Sequence, residues 1–293
     1  MTFQPATASG NVEAAYSTPV LSVDALKAYY RLKLFGIERE VRAVDDLTFE
    51  IGRNEIYGLA GESSSGKSTL IRTIARAIRP PLAVEAGSVR FNFSDGTRDM
   101  YRLSPQELAG IRWKRLSYIM QGSMSVLNPV RRIKHSFIDF AMPHVPEKGA
   151  AFFDRIGRHL EKLHLDRSVL NAFPHELSGG MRQRVTIALA TVCGPEFIIA
   201  DEPTTALDVI VQKGVLAMLR EIQRELGSSV LFVTHDIAVH ANLTDRLGIM
   251  YAGRLVEEGW TRDLFRRPLH PYTRHLISSL PQIGDDTPKK GLA

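Results

Sequence analysis

Cysteine is almost missing from this chain: of its 293 residues only Cys193 is one. A single thiol excludes an internal disulfide, a zinc ribbon and a self-contained iron–sulfur site, and it points to a reducing compartment. Long apolar runs are missing too. The longest uncharged apolar stretch, Val185 to Gly194, is cut off by Pro195 and Glu196, far short of the roughly 20 residues that a membrane helix needs. There is no internal repeat, no low-complexity tract and no long basic block. The 37 basic and 32 acidic side chains leave a formal charge of +5 spread along the sequence, which suits an anionic ligand or a membrane surface without demanding either. The first residues lack the basic segment, apolar core and small-residue cleavage site of a secretory signal, so residues 1–19 are expected to be a flexible polar lead.

What is present is an ordinary globular composition, 44% apolar and 24% charged, which excludes disorder of the whole chain. Residues 20–60 alternate as strands do, at Val20 to Tyr30 and Val44 to Ile51. A turn at Gly52-Arg53-Asn54 follows, then a buried strand from Ile56 to Ala60. Leu70 to Ile78 has a helical pattern stopped by Pro80 and Pro81, and Ser104-Pro105-Gln106-Glu107 is a capping box that predicts a helix to about Leu116. Between 121 and 180 strand signals fade, and Phe152, Ile156, Leu160 and Leu163 recur at helical spacing. Strand signals return at Phe197 to Ala200, followed by a helix with Val215, Leu219, Ile222 and Leu226 on one face, a Gly227 stop, and a strand at Val230 to Val233. Strand, helix, strand at this spacing predicts a mostly parallel sheet. The expected organisation is a lead over 1–19, an α/β core over 20–120 and 181–260, a helical subdomain over 121–180, and a short helical tail over 261–293.

Three pieces of this sequence carry chemistry. Between the predicted strand and helix lies Gly61-Glu62-Ser63-Ser64-Ser65-Gly66-Lys67-Ser68-Thr69. A glycine-rich turn there aims several backbone N–H groups at one spot, and the helix dipole adds positive charge, which suits phosphates. Lys67 would reach the β- and γ-phosphates and Ser68 would hold magnesium. The second piece is FIIADEP, an apolar strand ending in Asp201 and Glu202. Asp201 at the sheet edge can hold magnesium through water, and Glu202 is next in line to polarise an attacking water. The third is Leu177 to Arg184, LSGGMRQR, in which Ser178, Gly179 and Gly180 make a small, bare helix N-terminus and hence a second anion cradle.

These three pieces in this order resemble the ATP-binding cassette (ABC) family of transport ATPases over about residues 20–280. The resemblance implies a phosphate-loop NTPase of the RecA-like kind, with an antiparallel β subdomain beside the parallel core and an inserted helical subdomain. Its cofactors would be ATP and Mg2+. The catalytic set would be Glu202, His235 as the switch histidine that contacts the γ-phosphate, and Gln121 as the glutamine that contacts magnesium and water. Tyr30 sits where the family stacks an aromatic ring on adenine. Ser64 departs from the family, which has a third glycine there; if that position needs positive φ, serine costs about 1 kcal/mol. Gly122 and Ser123 also replace the commoner Asp-Pro.

The second cradle implies a partner. One ATP does not need two phosphate sites from one chain, and in the family Ser178, Gly179 and Gly180 serve the nucleotide of a second ATPase subunit, with Asp208 communicating between sites. The partner is the same chain or a different one. Ser125 to Pro129 (SVLNP) and Leu269 to Pro281 (LHPYTRHLISSLP) look like the peptide and nickel importer subgroup, whose members also carry oligosaccharides. That implies two transmembrane permease subunits, an extracytoplasmic solute-binding protein, and a peripheral place at the cytoplasmic face of the inner membrane. No nucleic acid is expected. Two alternatives stand beside this reading: an ABC ATPase of nucleic acid or ribosomes, and a regulatory subunit that binds ATP without turnover.

Overall fold

The computed structural model describes residues 18–34, 37–120, 122, 126–205 and 207–280. Gln121, Ser123, Ser125, Ala206 and Pro281 therefore lie outside the described residues, as does most of the predicted lead.

Strands β1 (Leu21–Leu34) and β2 (Ile37–Ile51) pair antiparallel and run further than their apolar alternation predicts. Only the inner half of β2 alternates, burying Val44, Leu47, Phe49 and Ile51; residues 37–42 are exposed on both faces. That half has no apolar period because both of its faces meet solvent, and pairing with β1 extends it. Strand β3 (Ile56–Ala60) is wholly buried, as its unbroken apolar run predicts. Helix α1 (Lys67–Ile74) stops four residues before the predicted end, because Arg76 turns to φ 50° and its guanidinium donates to the carbonyls of Met100 and Leu103.

Strands β4 (Leu82–Phe93) and β5 (Gly96–Asp99), which are not among the predicted elements, complete a four-stranded antiparallel sheet in the order β2-β1-β4-β5. Helix α2 (Pro105–Ile111) has the predicted capping box, with Glu107 N–H donating to Ser104 and the Ser104 N–H donating to Glu107. It ends at Ile111 instead of near Leu116, since Trp113 takes φ 66° and the chain enters β6 (Leu116–Ile119). Helices α3 (Ile133–Phe140), α4 (Gly149–Lys162) and α5 (Gly179–Thr191) follow. Phe152, Ile156, Leu160 and Leu163 are fully buried, in one cluster with Phe137, Val185 and Leu189 that continues into the strand residues Ile198 and Phe232. The helical segment is thus welded to the sheet through α5.

Strand β7 (Phe197–Asp201), helix α6 (Val209–Leu226), strand β8 (Ser229–Val233), helix α7 (Ile237–Leu243) and strands β9 (Arg246–Tyr251) and β10 (Arg254–Trp260) build the second sheet. Its order is β10-β9-β3-β8-β7-β6, parallel throughout except for the β9–β10 edge. Gly227, at φ 64°, closes α6 as its position predicts. The tail forms α8 (Thr261–Arg266) and α9 (Pro271–Ser278), packed on Ala60, Ile237 and Ile249 at the end of β3. Among the described residues no helix is long and apolar enough to cross a membrane.

Two histidines, His240 fully buried and His159 half-buried, make this core sensitive to acid. His240 lies under Phe232, and His159 meets the Thr191 hydroxyl at 2.8 Å; burial lowers each from 6.5 to about 4. Between those values the unfolded chain takes up protons that the folded one refuses, so stability falls as pH drops, by up to about 3 kcal/mol per histidine. Urea midpoints measured from pH 6.5 to pH 4 should decline accordingly. His240→Asn, neutral at every pH, should make the decline shallower.

Candidate functional site

A cleft of about 650 Å³ opens where β3, β7 and β8 end, within the size range of small-molecule sites. The C-terminal ends of parallel strands are where an open α/β sheet binds ligands. On its floor is the loop from Gly61 to Gly66, leading into α1. Gly66, the N-cap of that helix, has φ 107°, and a Cβ there would overlap the Ala43 carbonyl oxygen. Only glycine lets the loop press this closely on β2. Ser64 also has positive φ, 66°, so the serine that replaces a glycine does occupy the left-handed region.

Lys67 is mostly buried and donates through Nζ to the carbonyls of Gly61 and Glu62, each at 2.7 Å, and to Ser65 Oγ at 3.2 Å. Burial lowers its pKa, while the carboxylates of Glu202 and Asp201 act to raise it. Ser63, Ser64, Ser68 and Thr69 line the same cleft.

Two adjacent carboxylates have opposite environments. Asp201, 5% exposed, is raised by burial even though the Tyr118 hydroxyl donates to its Oδ2 at 3.1 Å. Burial would raise Glu202 as well, but hydrogen bonds from His235 and Thr205 hold it below the usual carboxylate range. His235 Nδ1 lies 3.0 Å from Glu202 Oε1, and Thr205 Oγ1 donates to Oε2 at 2.7 Å. The Glu202 backbone takes φ 47° while its N–H donates to the Val233 carbonyl, so the residue turns out of the sheet toward the cleft. A left-handed conformation outside glycine at such a point is typical of functional sites.

Tyr30 lines the other wall, its hydroxyl 3.2 Å from Thr69 Oγ1, while neighbouring Tyr29 is turned inward to donate to Asp45. Val41, directly across the ladder from Tyr30, shares that wall. Ser178, Gly179, Gly180 and Asp208 do not line this cleft. Ser178 Oγ accepts from the Met181 N–H at the start of α5, and Asp208 accepts from the N–H groups of Ile210 and Val211 at the start of α6. These two helix starts are neighbours: a Cβ on Gly180 would crowd Val211.

Thr205 and Val41 in the cleft, and Tyr118, which reaches it only through its bond to Asp201, escaped sequence reasoning. Thr205 sits three residues past Glu202, a spacing that could have suggested a turn closing on the carboxylate. Val41 is reached only through the β1–β2 register, and Tyr118 only through the pairing of β6 with β7.

The ABC transporter family matches residues 44–205, and the oligopeptide/dipeptide transporter C-terminal region matches residues 256–292. A putative peptide import ATP-binding protein of Brucella abortus is 37% identical over 281 residues, covering 93% of this chain and 80% of that protein. The dipeptide transport ATP-binding protein DppD of Caldanaerobacter subterraneus is 36% identical over 272 residues, covering 92% and 81%. Among solved structures, an ATP-binding cassette in a dimeric post-hydrolysis state bound to ADP and Pi superposes with a TM-score of 0.68 at 25% identity, covering 83% of this chain and 99% of that one. A dimeric bacterial ABC transporter cassette gives 0.69 at 26% identity, with the same coverage. With the phosphate loop, the paired carboxylates and both matched regions in one chain, the protein belongs to the ATP-binding subunits of ABC transporters, in their oligopeptide/dipeptide branch.

Proposed function

We propose that this chain is the ATP-hydrolysing subunit of an importer that takes up oligopeptides or related solutes through partner permeases. The observation that carries this is the meeting of Lys67, Asp201, Glu202 and His235, from three separate strand ends, in one cleft. In it, Lys67, positioned by the Gly61 and Glu62 carbonyls, turns its ammonium to phosphate oxygens of ATP in place of Ser65 Oγ, and the N–H groups at the start of α1 receive the rest of the phosphate charge. Tyr30 and Val41 form the wall for the adenine.

Glu202 is the general base. Its hydrogen bonds keep it ionised, and His235 within 3.0 Å orients it toward the attacking water. Ser68 and Asp201 offer the hard oxygen donors that magnesium prefers, few in number as befits an ion that also binds substrate phosphates. Magnesium bound there would neutralise charge on the transferring phosphate. Gln121 would serve the magnesium and the attacking water and link the cleft to the helical segment 121–180.

Ser178, Gly179, Gly180 and Asp208 serve the nucleotide of a second ATPase subunit. Support comes from their separation from this chain's own cleft and from Val209 and Ile210 beside them, which are 66% and 84% exposed. Apolar side chains left out on a helix start fit a surface that another subunit covers. The remaining partners are two transmembrane permease subunits and an extracytoplasmic solute-binding protein, with this chain peripheral at the cytoplasmic face of the membrane.

Glu202→Gln should leave ATP binding intact and lower the hydrolysis rate by about 10²–10⁴-fold, measured as phosphate release from the assembled transporter. Unchanged turnover would refute the role of Glu202. Ser64→Gly should raise thermal stability slightly. Relief of the left-handed serine is worth about 1 kcal/mol, offset by about 0.5 kcal/mol of added unfolded-chain entropy, so calorimetry should show a melting temperature higher by roughly 1–2 °C.

A further inference from the structure

The segment from Leu269 to Thr273, LHPYT, has no part in the cleft, yet it touches the phosphate loop at one point. The Tyr272 hydroxyl accepts a hydrogen bond from the Glu62 N–H at 2.9 Å. Helix α9 is well anchored for this. Buried Glu257 accepts from the N–H groups of Leu269 and His270, and His270 Nδ1 accepts from the Tyr272 N–H. The Tyr272 ring rests on that of Tyr251, with centroids 4.5 Å apart. A phenol held this way is a fixed acceptor, not a wandering surface group.

Its donor belongs to the peptide whose carbonyl is that of Gly61, and this carbonyl accepts from Lys67 Nζ at 2.7 Å. A trans peptide is planar, with its N–H and C=O pointing in opposite directions. Holding one end therefore fixes the other: Tyr272 on one side and Lys67 on the other grip a single rigid plane. The next carbonyl, of Glu62, also accepts from Lys67. The loop needs outside support, since Gly61 at φ 150° is permissive and Ser64 at φ 66° is strained.

We propose that Tyr272 is a positioning residue for the phosphate loop: through its hydroxyl the C-terminal helix α9 orients the Gly61–Glu62 peptide from which Lys67 works. Tail docking and nucleotide binding are then linked, and linkage is reciprocal, so each strengthens the other by the same factor. The inference rests on the proposed reading of Lys67 as the phosphate-binding lysine.

The test uses the full chain. Tyr272→Phe keeps the ring on Tyr251 and removes only the acceptor. Loss of one such hydrogen bond should weaken binding of a fluorescent ATP analogue about three- to tenfold, with the melting temperature lowered by no more than about 2–4 °C. Hydrogen–deuterium exchange over residues 271–278 should slow when a non-hydrolysable ATP analogue is added to the wild type, and should respond less in Tyr272→Phe. Wild-type affinity and an unaltered exchange response in Tyr272→Phe would overturn the inference, as would a lowered melting temperature with affinity unchanged. Lys67→Ala separates the two levels. If it weakens binding while Tyr272→Phe does not, only the role of the tail falls; if it binds like the wild type, the reading of Lys67 falls and this inference with it.

Discussion

A phosphate cradle made of backbone has no side-chain packing of its own, so its shape must be imposed from outside. In this chain the loop from Gly61 to Gly66 is pressed against the Ala43 carbonyl, where only glycine fits. It is tied by the Gly253 N–H, which donates to the Ser65 carbonyl, and is held at its other end by Tyr272. Those three supports come from the antiparallel sheet, the β9–β10 turn and the tail. The elements around the loop thus act as its mould, and the position of Lys67 follows from that mould.

Electrostatics then divides the work between neighbours. Asp201 and Glu202 are adjacent in sequence, yet burial prevails at the first, while at the second it is outweighed by the hydrogen bonds from His235 and Thr205 together with nearby positive charge, which pushes the two carboxyls apart. Pairs separated in this way mark acid–base assignments in other enzymes. The structural cause is the left-handed turn at Glu202, which leaves Asp201 inside the sheet beside Tyr118 and swings the next side chain out to His235 and Thr205. The proposed division into metal ligand and general base needs that one backbone reversal.

Much of this was legible in advance because local chemistry forces it. The strand before the phosphate loop, the capping box at Ser104, the Gly227 stop and the buried face of α4 all appeared where the residues demand them. Errors arose where a long-range contact overrides a local pattern. Helix α1 continues in its apolar period past Ile74, but the Arg76 guanidinium has carbonyls to reach on the far side, and the helix breaks. Exposed residues 37–42 carry no period and still form strand, because β1 supplies the hydrogen bonds.

By itself the sequence determined the chemistry at hand: a loop for phosphates, two carboxylates at a strand end, a second bare helix start, and no apolar run long enough for a membrane-spanning helix. Those are properties of residue type and near neighbours, which spacing along the chain preserves. Only the tertiary structure decided which groups face one another. It brought Tyr118 to Asp201 and Val41 beside Tyr30 through strand pairing, kept Ser178 to Gly180 out of the cleft, and laid Tyr272 on the Glu62 amide. Each of these contacts joins residues that are distant in sequence or register, and no local pattern encodes the distance between them.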